Sequence, residues 1–175
     1  MATEFVTRRV NYHKPEDRAA LTALLDHYAR DPMGGGAAIT PEVLARLCDD
    51  LAARPFAFSF IAWAQTAQGS QAAGLANCFE GYSTFKAKPL VNIHDIVVHS
   101  DWRGQGVAQQ LMQAVEHEAQ ARTACKITLE VLTGNSVAMK SYEHFGFAPY
   151  ALAPKAGTAT FMQKWLCASA ASNKC

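Results

Sequence analysis

The 175-residue chain is half hydrophobic, and its 16 basic and 15 acidic residues leave a formal charge of +1. That length supports one sizeable core, and a balanced charge without a basic stripe argues against nucleic acid as a partner. No stretch approaches the roughly 18 apolar residues of a membrane helix, and residues 1–10 carry Glu4, Arg8 and Arg9 where a signal peptide would be apolar.

The expectation is one cytoplasmic domain over 1–175, with no membrane partner. The five cysteines (Cys48, Cys78, Cys125, Cys167, Cys175) are scattered, odd in number and without C-x-x-C spacing, so they read as reduced thiols. The six histidines include no H-x-x-x-H pair, and no metal site is expected.

In chain order, residues 5–12 alternate as a first strand. Pro15 then suits the first turn of a helix on which Leu21, Leu24, Leu25 and Tyr28 fall at i, i+3, i+4 and i+7. Asp31-Pro32 ends it, and Gly34-Gly35-Gly36 reads as a flexible connector. Thr40 as N-cap and Pro41 at the first helical position open a second helix with Leu44, Leu47 and Leu51 on its apolar stripe. Strands at 56–65 and 72–79 follow, split by the turn 67–70. A near-continuous apolar strand at 90–98 reads as central and covered on both faces. A glycine-bearing turn then opens a long helix to about Arg122, carrying Val107, Leu111, Val115 and Ala119 on one side. Next come a strand at 126–132, a short helix at 135–145 ended by Gly146, and a last strand at 158–166. Residues 167–175 read as a frayed tail. The result is an α/β (mixed α+β) fold: a central mixed, mostly antiparallel sheet of six to seven strands with helices on both faces.

The turn Arg103-Gly104-Gln105-Gly106-Val107-Ala108 is the most informative stretch. It points several backbone N–H groups at one spot on the positive end of a helix dipole, which suits an anion such as a pyrophosphate. Glycine at 104 and 106 lets the backbone approach without a Cβ in the way, and Ala108 keeps the first helical turn slim. An ordinary strand-to-helix turn is the plain alternative. A Walker loop would need Gly-Lys-Ser/Thr after it, and a dinucleotide fingerprint would need a third glycine.

This stretch resembles the Gln/Arg-x-x-Gly-x-Gly/Ala signature of the GCN5-related N-acetyltransferases (GNAT). Asn135 to Phe147 is similar to the same family's Asn-x-x-Ala-x-x-x-Tyr-x-x-x-Gly-Phe, carried here by Asn135, Ala138, Tyr142, Gly146 and Phe147. The order and separation of the two elements match the family pattern. The resemblance implies acetyl-CoA as donor, held by the backbone of Ile96, Val97 and Val98, by the loop Arg103, Gly104, Gln105, Gly106, Val107 and Ala108, and by Asn135. It implies Tyr142 as the acid that protonates the departing thiolate; the alternative for Tyr142 is a core aromatic on one stripe with Ala138 and Phe145. Asn135 is also a favoured N-cap, and both roles stay open.

Within the family, residues 74–95 resemble the polyamine and diamine branch, which has Glu-Asp where this chain has His94-Asp95. The replacement leaves three candidates for the base: His94, Asp95 and Glu80, beside a water chain with no single base. Side-chain alternation places His94 and Asp95 on opposite faces, with Asp95 beside Val91, Ile93 and Val97, where it is equally a structural carboxylate. By family position, Glu80, Tyr82, Phe85 and Asp31 are candidates for the acceptor. The resemblance thus implies direct acetyl transfer to a primary amine of a diamine, polyamine or amino acid, by a homodimer without metal. A protein or peptide amine, or a non-catalytic acyl-CoA sensor, are the alternatives.

Overall fold

The computed structural model describes residues 3–150, 155, 159–164 and 166. Five strands form one sheet in the order β1-β2-β3-β4-β5: β1 (Glu4–Arg9), β2 (Ala57–Thr66), β3 (Gly69–Ser83), β4 (Lys88–Val98) and β5 (Ile127–Leu129). The first four are antiparallel neighbours, and β5 joins β4 in parallel. The helices are α1 (Pro15–Arg30), α2 (Pro41–Ala52), α3 (Val107–Ala121) and α4 (Ser136–Phe145).

Two apolar clusters sandwich the sheet. On one face Val107, Leu111 and Val115 of α3 cover Phe58, Phe60, Ala76, Cys78, Val91 and Ile93. On the other, Leu21 and Leu24 of α1 and Cys48 and Leu51 of α2 cover Ile61, Trp63, Leu75 and Val97. Helices on both faces are therefore found as expected. The strands enclosed on both faces are β2, buried from Ala57 to Ala64, and the middle of β3, buried from Ala73 to Cys78, not the strand at 90–98. β4 pairs with β5 only from Val91 to Ile93, so among the described residues its far half is open along one edge.

The expected six to seven strands reduce to five among the described residues. Of the anticipated last strand, residues 159–164 and 166 carry no sheet pairing, and the remainder lies outside the described residues, as does the anticipated frayed tail. Phe161, Met162 and Leu166 stay exposed. An alternating pattern makes a strand only where an edge and a covering layer receive it.

The connector after α1 is folded rather than loose. Gly34 and Gly36 donate to the Asp31 carbonyl, and Ala37 donates to the Ala29 carbonyl, wrapping the segment around the helix end. Thr40 takes the N-cap position of α2 with Pro41 after it, but its side chain makes no capping bond. Asn135 does cap: its Oδ1 accepts from the Ala138 N–H at 3.1 Å, and Gly146 closes α4 in the left-handed region at φ 103°. Cys48, Cys78 and Cys125 are free thiols.

Candidate active site

Beyond Ile93 the β4 and β5 strands part, and a cavity of about 640 Å³ opens between β4, the start of α3, and α4. One wall is Ile96, Val97 and Val98, whose outer backbone edge faces no partner strand among the described residues. The floor is the loop of Arg103, Gly104 and Gly106 with Val107 and Ala108 at the start of α3. The opposite wall is Asn135, Val137, Ala138, Ser141 and Tyr142. Tyr28, Asp31 and Met33 close the side nearest α1.

The loop owes its shape to two left-handed residues, Gly104 at φ 75° and Gly106 at φ 82°. Gly106 is the N-cap of α3 and has no side chain to satisfy the first-turn N–H groups, and no acidic residue occupies that turn. Those donors and the positive helix end suit an anionic group, and the open β4 edge suits an amide-bearing arm. The residues present thus fit coenzyme A. Gln105 is not part of the cavity wall; its side-chain amide instead donates to the Asp101 carbonyl at 3.2 Å, within the turn that leads into the loop.

Tyr142 lies on the α4 wall, edge-on to Phe147 at 6.0 Å between ring centres. Burial, with a smaller contribution from the nearby Tyr28, pushes its hydroxyl up to about 12. Tyr28 is itself pushed up, by burial first and then by the carboxylates Asp95 and Asp31. Tyr28 therefore stands in electrostatic reach of both Tyr142 and Asp95. It is a cavity residue that the sequence reading left in a core stripe, because helical spacing does not distinguish a core aromatic from one at the rim.

Alternation along β4 breaks at His94. Asn77 of β3 opposes Asp95, but the next residue, Cys78, opposes Ile93, so His94 is an extra residue in a bulge. Val91 and Ile93 consequently pack on the α3 face, whereas Asp95 bonds to Asn77 at 3.1 Å and Val97 packs under α1 and α2. His94 meets the Phe79 ring edge-on at 5.4 Å, and Phe79 packs against the α1 and α2 cluster. His94 and Asp95 thus share a face, against the expectation from simple alternation. His94 is exposed and Asp95 half-buried, and neither lines the cavity wall itself.

The acceptor candidates scatter. Asp31 lines the cavity. Glu80 lies on the α3 face in an ion pair with Arg122 at 2.7 Å, within a network that includes Glu118 and Arg9. Tyr82 and Phe85 stand at the β3–β4 hairpin, 61% and 97% exposed, and Tyr82 is about 15 Å along the strand from the bulge. The fold does not bring these three to the cavity, because they sit at the opposite end of β3 and β4 from the loop. Among the described residues no group of three or more His, Cys, Asp or Glu gathers as a metal site, and no helix is long and apolar enough to cross a membrane.

Comparison with known proteins agrees with this geometry. The acetyltransferase (GNAT) family profile matches residues 21–147. No curated protein matches the sequence. Among solved structures, a probable acetyltransferase superposes with a TM-score of 0.72 at 20% identity, covering 92% of this chain and 98% of the other. The aminoglycoside N-acetyltransferase AAC(6')-Iy in complex with CoA gives 0.69 at 16% identity, over 95% and 98% of the two chains. A ribosomal-protein-alanine N-acetyltransferase from Brucella melitensis biovar Abortus 2308 gives 0.67 at 17%, over 93% and 100%. At such identities these structures speak for the fold alone. The family profile spans both signature elements and the cavity between them, and the chain belongs to the GNAT acetyltransferase family as an acetyl-CoA-dependent N-acetyltransferase.

Proposed function

We propose that the enzyme transfers acetyl directly to the primary amine of a small molecule, within one complex holding donor and acceptor. The observation that carries this reading is the meeting of three features in one cavity: the open edge of Ile96–Val98, the donor-rich start of α3, and the Tyr142 hydroxyl. The first two suit the amide arm and the pyrophosphate of acetyl-CoA. The third suits the leaving thiolate.

On the α1 side, Asp31 and Tyr28 line the cavity, and Asp95, off the wall itself, acts on Tyr28; together they supply the acidic and hydrogen-bonding character that an ammonium group needs. Asp95 is the better placed proton acceptor. It sits within electrostatic reach of Tyr28, whereas His94 packs against Phe79. The ammonium gives one proton to Asp95, and the freed lone pair forms the C–N bond as the C–S bond breaks. The sulfur takes the Tyr142 proton, and the surplus proton on nitrogen returns to the Tyr142 oxygen through solvent. One proton is released overall, from Asp95.

Aminoglycoside acetyltransferases among the similar structures support a small polyamine-like acceptor, and the pattern of residues 74–95 supports the polyamine and diamine branch. The ribosomal-protein-alanine N-acetyltransferase supports the second reading, a peptide N-terminus. A cytoplasmic homodimer belongs to the same proposal, on family resemblance. Thiol release from acetyl-CoA with diamines, polyamines, aminoglycosides, amino acids and alanine-starting peptides decides between the two. The proposal expects turnover with small amines. Turnover confined to peptides replaces it with the second reading.

A further inference from the structure

A single polar row crosses the sheet beneath α1. Ser59 of β2, Asn77 of β3 and Asp95 of β4 are directly paired positions on adjacent strands. Tyr12, in the turn after β1, meets Ser59 at 2.8 Å. Ser59 and Asn77 are 1% and 4% exposed, in a layer otherwise filled by Ile61, Leu75 and Val97. Burying two such groups costs stability unless each is partnered, and here each is.

The direction of the row follows from its donors. A carboxylate only accepts, so the Asn77 amide nitrogen donates to Asp95 Oδ2 at 3.1 Å. The Asn77 amide oxygen then faces Ser59 and accepts its hydroxyl proton at 2.7 Å. Ser59, having given its one proton to Asn77, accepts from the Tyr12 hydroxyl. Every donor in the row therefore points toward Asp95, and such bonds strengthen one another. Asp95 Oδ1 accepts no side-chain or backbone bond from the described residues. The bulge at His94 is what turns Asp95 onto this face at all.

We infer that Asn77 is a positioning residue: backed by Ser59 and Tyr12, it holds Asp95 by one oxygen and leaves the other to take the proton from the acceptor amine. The inference rests on the reading of Asp95 as proton acceptor. The titratable groups around Asp95 are the Tyr28 hydroxyl from α1, the Cys78 thiol from the opposite face of β3 and the neighbouring His94 on its own strand; burial first and Asp95 next push up the first two. Tyr28 and Cys78 stay neutral through the weakly acidic range, and a signal specific to aspartate separates Asp95 from His94.

The test has two readouts on the full chain: an NMR titration of carboxyl-labelled aspartate, and steady-state kinetics with the best amine of the panel. In Asn77→Ala the Asp95 midpoint is expected to rise by about one pH unit, because a donor to the charged form is lost. The acidic limb of kcat/KM should move by the same amount, and kcat should fall about tenfold while KM for acetyl-CoA stays put. Ser59→Ala should move both in the same direction by less, and it carries the comparison if Asn77→Ala does not fold. A folded variant whose Asp95 midpoint and kcat match the parent overturns the positioning role. A parent enzyme that acetylates no amine overturns the reading of the site instead, and the titration still reports whether Asn77 governs Asp95.

Discussion

The Arg103 guanidinium donates to Asp31 Oδ2 at 3.1 Å and so ties the glycine loop to the end of α1. Arg103 also donates to the Val98 carbonyl at 3.2 Å, on the open strand edge. The Met33 backbone N–H and then Arg103 hold the Asp31 carboxyl below the usual range. One guanidinium thus touches the end of β4, the loop it belongs to and the acceptor-side carboxylate. Arg103→Ala should raise KM for acetyl-CoA about tenfold, with a weaker dependence of KM on salt. Kinetics at two ionic strengths measure both.

Tyr142 tests the acid. With its hydroxyl pushed up to about 12, it stays protonated across the neutral range and is available to donate. Tyr142→Phe should lower kcat by roughly 10²-fold and leave acetyl-CoA binding within about twofold. The parent enzyme should show no basic limb attributable to this group below about pH 11. A kcat unchanged in Tyr142→Phe sinks the assignment.

Gly74 couples packing to the loop. A Cβ there would lie 2.9 Å from the Val97 carbonyl oxygen and 2.9 Å from Val107 Cγ1. The first is backbone, and the second is the opening residue of α3. Gly74→Ala should destabilise the protein by about 1–3 kcal/mol in urea unfolding. It should also weaken acetyl-CoA, since the start of α3 must shift.

Asp17 anchors α1 to β1. Its side chain is fully buried and accepts from both Arg8 nitrogens at 2.7 and 2.8 Å and from the Asn11 N–H at 2.8 Å. Burial pushes its carboxyl up, but these donors outweigh burial and hold it below the usual range. The folded value lies under the unfolded one, so this stabilisation is present above about pH 4 and is lost as pH falls through the folded value. Asp17→Ala should cost about 2–3 kcal/mol, at the lower end for a broken pair because Arg8 remains partly in water. Denaturation midpoints between about pH 7 and 3 should show a shallower acid loss in the variant.

His27 of α1 stacks on His99 at 4.4 Å with the rings 25° apart. Burial first, then the neighbouring His99 and Arg103, hold His27 below its ordinary value, against Asp31 and Asp101. The unfolded chain therefore binds the proton more readily, and stability rises with pH through the window below about 6.5. Acetyl-CoA affinity should weaken as pH falls below about 6.5 and His27 takes up its proton, since protonation loosens α1 from the loop. His27→Gln should flatten that dependence in a fluorescence or calorimetric titration.

The parts of the site that were legible beforehand are local ones. Residues 103–108 show their turn through two glycines that reach the left-handed region easily, and α4 shows its ends through the Asn135 cap and Gly146. Each depends on backbone preferences and bonds spanning a few residues, which a sequence carries directly. The stripes of α1, α2 and α3 are legible for the same reason. The bulge at His94, by contrast, exists only in the register of β4 against β3, and it reverses the face on which Asp95 emerges. Placing Asp95 with Ile93 was the natural consequence of counting by two.

The acceptor side divides the same way. Glu80, Tyr82 and Phe85 lie close to the motifs along the chain yet far from the cavity in space, while Tyr28, about seventy-five residues before the loop, lines it. The family and the donor follow from short motifs whose geometry is intrinsic to a turn and a helix end. The row from Tyr12 through Ser59 and Asn77 to Asp95, and the tie between Arg103 and Asp31, join residues that only strand pairing and helix packing bring within hydrogen-bond distance. Their energies depend on burial and on mutual orientation, quantities that come into being when the sheet closes.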